Sequence, residues 1–325
     1  MNPTTAPDFL DARGEGQDNF KQVIEECNAL LLCDPHCASA YNKRGAARVA
    51  LGDLIGAVAD FGEALRIHPG LVPAYCNRGG ARVALGDLAG AVADFSEALS
   101  LNPHCLPAYR DRAITRYTLR DLDGAIADGK RAIQIDPRCI IAHRTLAEAY
   151  FAQGDFRAVI ACCTEAIRID PRCALAYNTR AGARLILKDF EGAILDCNEA
   201  LRLDPRFCGA YVTRGNARYH KGDMGGVLDY RTAFALDSAL AARGLVSLIA
   251  DQLRHMGSRV FAECAEHLRE NPKDAMSYAR RGLTLLLQGK DTEAQKDFHQ
   301  FRLLNPKGKH NLELLINEAR QRRRK

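Results

Sequence analysis

Arginine and aspartate recur in this 325-residue sequence at a spacing that could do chemistry. Arg44 precedes Asp60 by sixteen residues, and the same interval separates Arg78 from Asp94, Arg112 from Asp128, Arg180 from Asp196 and Arg281 from Asp297. Arg214 and Asp229 are one residue closer. A row of guanidinium groups could bind an anionic ligand. Alternatively, each arginine meets its own aspartate and the pair is structural. A joint loss favours the structural reading: where the next pair is due, Leu146 and Cys162 replace both members. One charge left alone in a packed seam would be costly, so residues that vanish together are expected to meet. A second series, Arg48, Arg82, Arg116, Arg184 and Arg218, has no single acidic slot that tracks it. It is expected to lay its stems over apolar surface with its heads in solvent.

The twelve cysteines suggest little chemistry. A disulfide framework belongs to short secreted domains, whereas this chain is long and Met1 to Gly16 carries Asp8, Asp11 and Glu15 instead of a basic, then apolar leader. Reduced thiols and a cytoplasmic location are expected. Cys37, Cys105, Cys139 and Cys173 recur at one slot, so they are spread along the chain and do not converge on one ion. Cys27, Cys163, Cys197 and Cys264 are expected to be small buried hydrophobes. The cluster Cys33, His36 and Cys37 lacks the second half of a zinc site. Without a glycine-rich phosphate loop after a strand, a nucleophile elbow or a zinc helix motif, no enzymatic activity, cofactor or metal is expected. Apolar runs are too short for membrane insertion.

The elements that must position these residues follow a period of 34, marked by Tyr41, Tyr75, Tyr109, His143, Tyr177 and Tyr211, each preceded by Ala. Pro35, Pro69, Pro103, Pro137, Pro171 and Pro205 keep the same step. Within one period, Ala40, Tyr41, Gly45 and Val49 follow helical spacing, Gly52-Asp53 makes a turn, and Ala57, Phe61, Ala64 and Leu65 follow helical spacing again. Gly52 suits the left-handed position ending one helix, and Asp53 caps the next. Each period is therefore a helical hairpin whose apolar face must be covered by its neighbours. The formal charge of +5 resides in the tail, where seven cations from Lys307 onward outnumber Glu313 and Glu318; the body is neutral. That balance disfavours nucleic acid as a partner.

These hairpins resemble tetratricopeptide repeats. Counting from Ala38, Tyr41, Gly45, Ala57, Phe61, Ala64 and Pro69 fall on the small and aromatic slots of that family. The resemblance implies an all-α, right-handed superhelical solenoid of stacked antiparallel helix pairs. The expected organisation is a flexible segment 1-19 and an array 20-308, followed by a capping helix with a basic tail, 309-325. The array divides into a half repeat 20-37 and units 38-71, 72-105, 106-139, 140-173, 174-207, 208-240, 241-274 and 275-308. Unit 208-240 has lost one residue just before Val227 and carries Ser238 at its proline slot. The capping helix should bury Leu312, Leu315, Ile316 and Ala319.

In that family the first helix of each hairpin lines a concave face. The residues this places in a ligand groove are Asn42, Lys43, Asn77, Arg110, Tyr117, Arg144, Phe151, Asn178, Asn216 and Tyr219. The resemblance implies a protein-protein interaction scaffold binding an extended peptide or partner helix. Arg110 and Arg144, one period apart, would favour an acidic one. The family's carboxylate clamp for chaperone tails is matched here only at Asn77, which disfavours that mechanism. Two alternatives stand beside the scaffold: a targeting array for a separate catalytic partner or domain, and an anion- or RNA-binding array using the arginines. Oligomeric state is not legible.

Overall fold

A computed structural model describes residues 16–221, 225–256 and 259–323, and all regular structure among them is helical. None of the described helices is long and apolar enough to cross a membrane. Two compact units, Met1–Ile169 and Asp170–Lys325, partition the chain.

In the first unit, α1 (Gly16–Cys33) packs on the hairpin of α2 (Ala38–Ala50) and α3 (Leu54–Ile67). Three further hairpins follow: α4 (Val72–Leu85) with α5 (Leu88–Leu101), α6 (Leu106–Thr118) with α7 (Leu122–Ile135), and α8 (Ile140–Gln153) with α9 (Phe156–Ile169). α1 begins four residues ahead of Phe20, so part of the segment expected to be flexible is helical; residues 1–15 lie outside the described residues. Gly52 (φ +83°) turns α2 into α3, and the Asp53 carboxylate accepts the Gly56 N–H at 2.9 Å to cap the second helix. Asp87 and Asp121 repeat the cap. Close approach follows from the small slots: a Cβ on Gly45 would lie 2.7 Å from the Phe61 ring, which is fully buried between Ala57 and Ala81. Consequently α2 touches α4, α4 touches α6 and α6 touches α8, so the first helices of the hairpins form one face.

The hairpin α8–α9, where the arginine and aspartate are both missing, compensates by packing. The preceding hairpin has Gly129 at its aromatic slot, and Leu146 fills that space: a Cβ on Gly129 would meet Leu146 Cγ at 2.8 Å.

The second unit begins with the hairpins α10 (Ala174–Ile186) with α11 (Phe190–Leu203) and α12 (Cys208–His220) with α13 (Gly225–Leu236). α14 (Ser238–Met256), α15 (Arg259–Glu270), α16 (Ala275–Leu287), α17 (Asp291–Leu304) and α18 (Lys309–Arg323) complete it. The joint between 208-240 and 241-274 differs from the earlier ones. Where earlier hairpins are joined by a proline turn, Asp237 alone separates α13 from the 19-residue α14. The Asp237 side chain accepts the Leu240 N–H at 2.9 Å and so caps the next helix at once. The deletion expected before Val227 abuts 222–224, which lie outside the described residues. α18 packs on α14 and α16 with Leu312, Leu315, Ile316 and Ala319 buried. Its basic end is tied down at Arg323, which donates to Asp291 at 2.7 Å and to the Leu286 carbonyl at 3.1 Å.

Candidate ligand groove

The arginine and aspartate series meet as ion pairs within each hairpin. Arg44 Nη2 lies 2.6 Å from Asp60, and Arg78–Asp94, Arg112–Asp128, Arg180–Asp196, Arg214–Asp229 and Arg281–Asp297 repeat this contact at 2.6–2.7 Å. All six aspartates are buried. The second arginine series requires a correction. Instead of reaching solvent, Arg48, Arg82, Arg116, Arg184 and Arg218 turn Nη1 onto the same aspartates at 2.7–2.9 Å. A carboxylate has two oxygens and several lone pairs, so one acid serves both arginines. The hairpin that lost the aspartate also has Tyr150 in place of the second arginine, which was the signal. The first series also ties hairpins together: Arg44 donates to Asn28 on α1 at 2.7 Å and Arg112 to Ser96 on α5 at 2.9 Å. Both rows are thus spent inside the protein, leaving no bare guanidinium ladder at these positions.

Between α2, α4 and α6 in the first unit lies a cavity of about 590 Å³. Ala46, Val49, Val72 and Pro73 give it apolar walls, while Asn77, Arg110 and Asp111 supply polar groups. Gly80 opens α4 onto it, and a Cβ added there would meet nothing within 4 Å. Asn77 Nδ2 donates to Asn42 Oδ1 at 3.1 Å, which aligns the amides of neighbouring hairpins. Arg110 Nε is 2.7 Å from Asp111 Oδ1, so its charge is largely balanced at home.

The other residues placed in the groove from sequence divide as follows. Lys43 is exposed and sits 3.7 Å from Glu26 of α1. Tyr117 is half-buried against Leu146 and Ala149, and burial raises its phenol pKa above the ordinary value. Arg144 is half-buried, and its Nε is buried without a hydrogen bond. Glu148, one turn on, has its carboxyl pushed up by burial and pulled partly back by Arg144. Phe151 is exposed and meets Phe156 edge to face at 5.4 Å. In the second unit, Asn178 is half-buried with Oδ1 unbonded, Asn216 accepts from the Tyr230 hydroxyl, and Tyr219 lies under the Arg280 guanidinium at 4.3 Å.

A tetratricopeptide-repeat family profile matches residues 76–138 and 144–206. Together with the stacked hairpins, this decides the family. The chain is a tetratricopeptide-repeat protein. Solved structures with the same fold include YrrB, described as a TPR protein with an unusual peptide-binding site, which has 16% identity and a TM-score of 0.52 and is covered over 96% of its length by 57% of this chain. A tetratricopeptide repeat protein from Parabacteroides merdae has 18% identity and a TM-score of 0.51, with 94% of that chain matching 69% of this one. Cut9-Hcn1, an APC/C hetero-tetramer, gives 15% identity and a TM-score of 0.54 over 68% of this chain and 44% of the matched one. At such identities only the fold is shared. Among curated proteins, no sequence matches this one.

Two features of this tetratricopeptide array were missed from sequence. Arg280 stands at the slot after Ala279 on α16, a concave position in the family, and desolvation lowers its pKa to about 10. Cys76 and Cys105 bring their sulfurs to 3.7 Å at the cavity. Repetition exposes residues that recur, and Cys76 has no counterpart at its slot in the neighbouring repeats.

Proposed function

We propose that this tetratricopeptide chain is a protein-interaction scaffold that holds an extended peptide segment across α2, α4 and α6. The cavity carries the reading. It is concave and mostly apolar, with a few convergent polar groups, which is the character of a ligand site. Asn77 can bond the backbone of an extended chain, and an apolar side chain fits beside Val49 and Val72. Because Asp111 balances Arg110, an acidic residue of the peptide would turn to Arg144, one hairpin further along on α8. The arginines consumed by buried aspartates weigh against an anion- or RNA-binding array, which would need them free.

Panning the full chain against a random peptide library supplies a probe. Gly80→Trp should weaken the selected peptide at least tenfold with helicity unchanged, since its indole enters the cavity, whereas Ile55→Trp on the exposed side of α3 should not. Unaltered affinity in Gly80→Trp sinks the assignment. A steep fall of affinity with salt would support the anionic alternative.

A further inference from the structure

Cys76, on α4, and Cys105, the residue just before α6, are 29 residues apart in sequence, yet their sulfurs lie 3.7 Å apart at the cavity wall. Both side chains are half-buried, so small molecules entering the cavity can reach them. A disulfide bond is about 2.05 Å long, so less than 2 Å of sulfur movement would join the pair, and the open cavity leaves room for it. We propose that Cys76 and Cys105 form a reactive dithiol that exchanges with small-molecule disulfides and closes reversibly to an intramolecular disulfide. The proposal does not depend on the cavity holding a peptide.

The surroundings assign the two roles. The two thiols share one hydrogen bond that either sulfur can donate, and only Cys105 also has a backbone N–H beside it, that of Ala108 in the first turn of α6. Both favour a thiolate on Cys105 and lower its pKa against the opposing effects of burial and Asp111. Cys76 is more deeply buried and holds its proton beside Cys105 and Asp111, with only Arg110 acting the other way. Cys105 is therefore the attacking sulfur and Cys76 the resolving one. The Cys105 thiolate attacks a sulfur of R–S–S–R, forming a Cys105–S–S–R mixed disulfide and expelling RS⁻. Cys76 then loses its proton to solvent and attacks Cys105 sulfur, expelling the second RS⁻. Two protein thiols are oxidised and one small-molecule disulfide is reduced to two thiols.

The test treats the reduced full-length chain with glutathione disulfide, quenches by alkylation and maps every cysteine by peptide mass spectrometry. The first product should be the Cys76–Cys105 cross-link, reversed by reduced glutathione, while the exposed Cys33 is modified later. Cys76→Ser should halt at one glutathione on Cys105, and Cys105→Ser should leave Cys76 unmodified over the same time. Cys76→Ala provides a second trap should the serine variant lose helicity, and the cross-link in the native chain decides the matter without either. A native chain that accumulates glutathione on Cys105 without the cross-link, or in which Cys33 reacts first, overturns the proposal.

Discussion

Replacing Asp94 by alanine would remove the anion shared by two arginines. Asp94 is 2% exposed and accepts from Arg78 at 2.6 and 3.0 Å and from Arg82 at 2.8 Å. Removing one partner of a buried pair costs about 3–5 kcal/mol, chiefly because the other charge is left uncompensated. The arginine side chains here keep 19% and 26% of their surface in solvent, and Arg82 retains Asp87 at 3.5 Å and the Gly90 carbonyl at 3.2 Å. The lower end, about 3 kcal/mol, is therefore expected. A stack of repeats opens locally, so the readout is native-state hydrogen exchange of the α4 and α5 amides, not a single global melt. At about 1.4 kcal/mol per factor of ten, protection there should fall roughly a hundredfold. Glu97→Ala, on the exposed side of α5, is the control. Removing all three charges together, as Arg78→Met, Arg82→Met and Asp94→Leu, should restore most of the protection. If Asp94→Ala changes exchange no more than Glu97→Ala does, the carboxylate is not the junction of the hairpin.

Adjacent glycines on α4 should respond oppositely to alanine. Gly79→Ala drives a methyl to 2.6 Å from the Phe95 ring and should cost about 1–3 kcal/mol by overpacking, whereas Gly80→Ala meets nothing within 4 Å and should gain about 0.5–1 kcal/mol from helix propensity; equal urea midpoints would contradict this. Glu148 gives a pH effect: burial raises its folded pKa above the ordinary 4.5, so its ionised form opposes folding. Stability tied to this group is full below the unfolded carboxylate value and is lost as pH rises through the raised folded one. Glu148→Gln should therefore raise the denaturation midpoint at pH 7 and leave it unchanged near pH 4, and a gap of equal size at both would refute the assignment.

The hairpins were legible because Tyr41, Gly45 and Phe61 return together with their period, and only a stacked array needs small and aromatic slots to recur in step. The pairing of Arg44 with Asp60 was legible through its joint loss at Leu146 and Cys162. The pairing of Arg48 was not legible because it shares Asp60 with Arg44, so the second series has no acidic slot of its own. Helix α14 begins early because Asp237 caps it directly after α13, a single-residue signal whose outcome depends on packing. In the groove, the family resemblance implied inner-face positions for Asn77 and Arg110, which line the cavity, but sequence does not show which neighbour satisfies a charge. Asp111 neutralises Arg110, and Lys43 turns to Glu26. The contact of Cys76 with Cys105 depends on how one hairpin is set against the next, which no local pattern encodes.

Hydrogen exchange of the full chain with and without a library-selected peptide asks most directly whether the inner helices hold the partner. Slowed exchange should concentrate on α2, α4 and α6, at the segments around Val49, Asn77 and Arg110, and should disappear in Gly80→Trp. Protection confined to α3, α5 and α7, or unchanged by Gly80→Trp, would place the partner on another face.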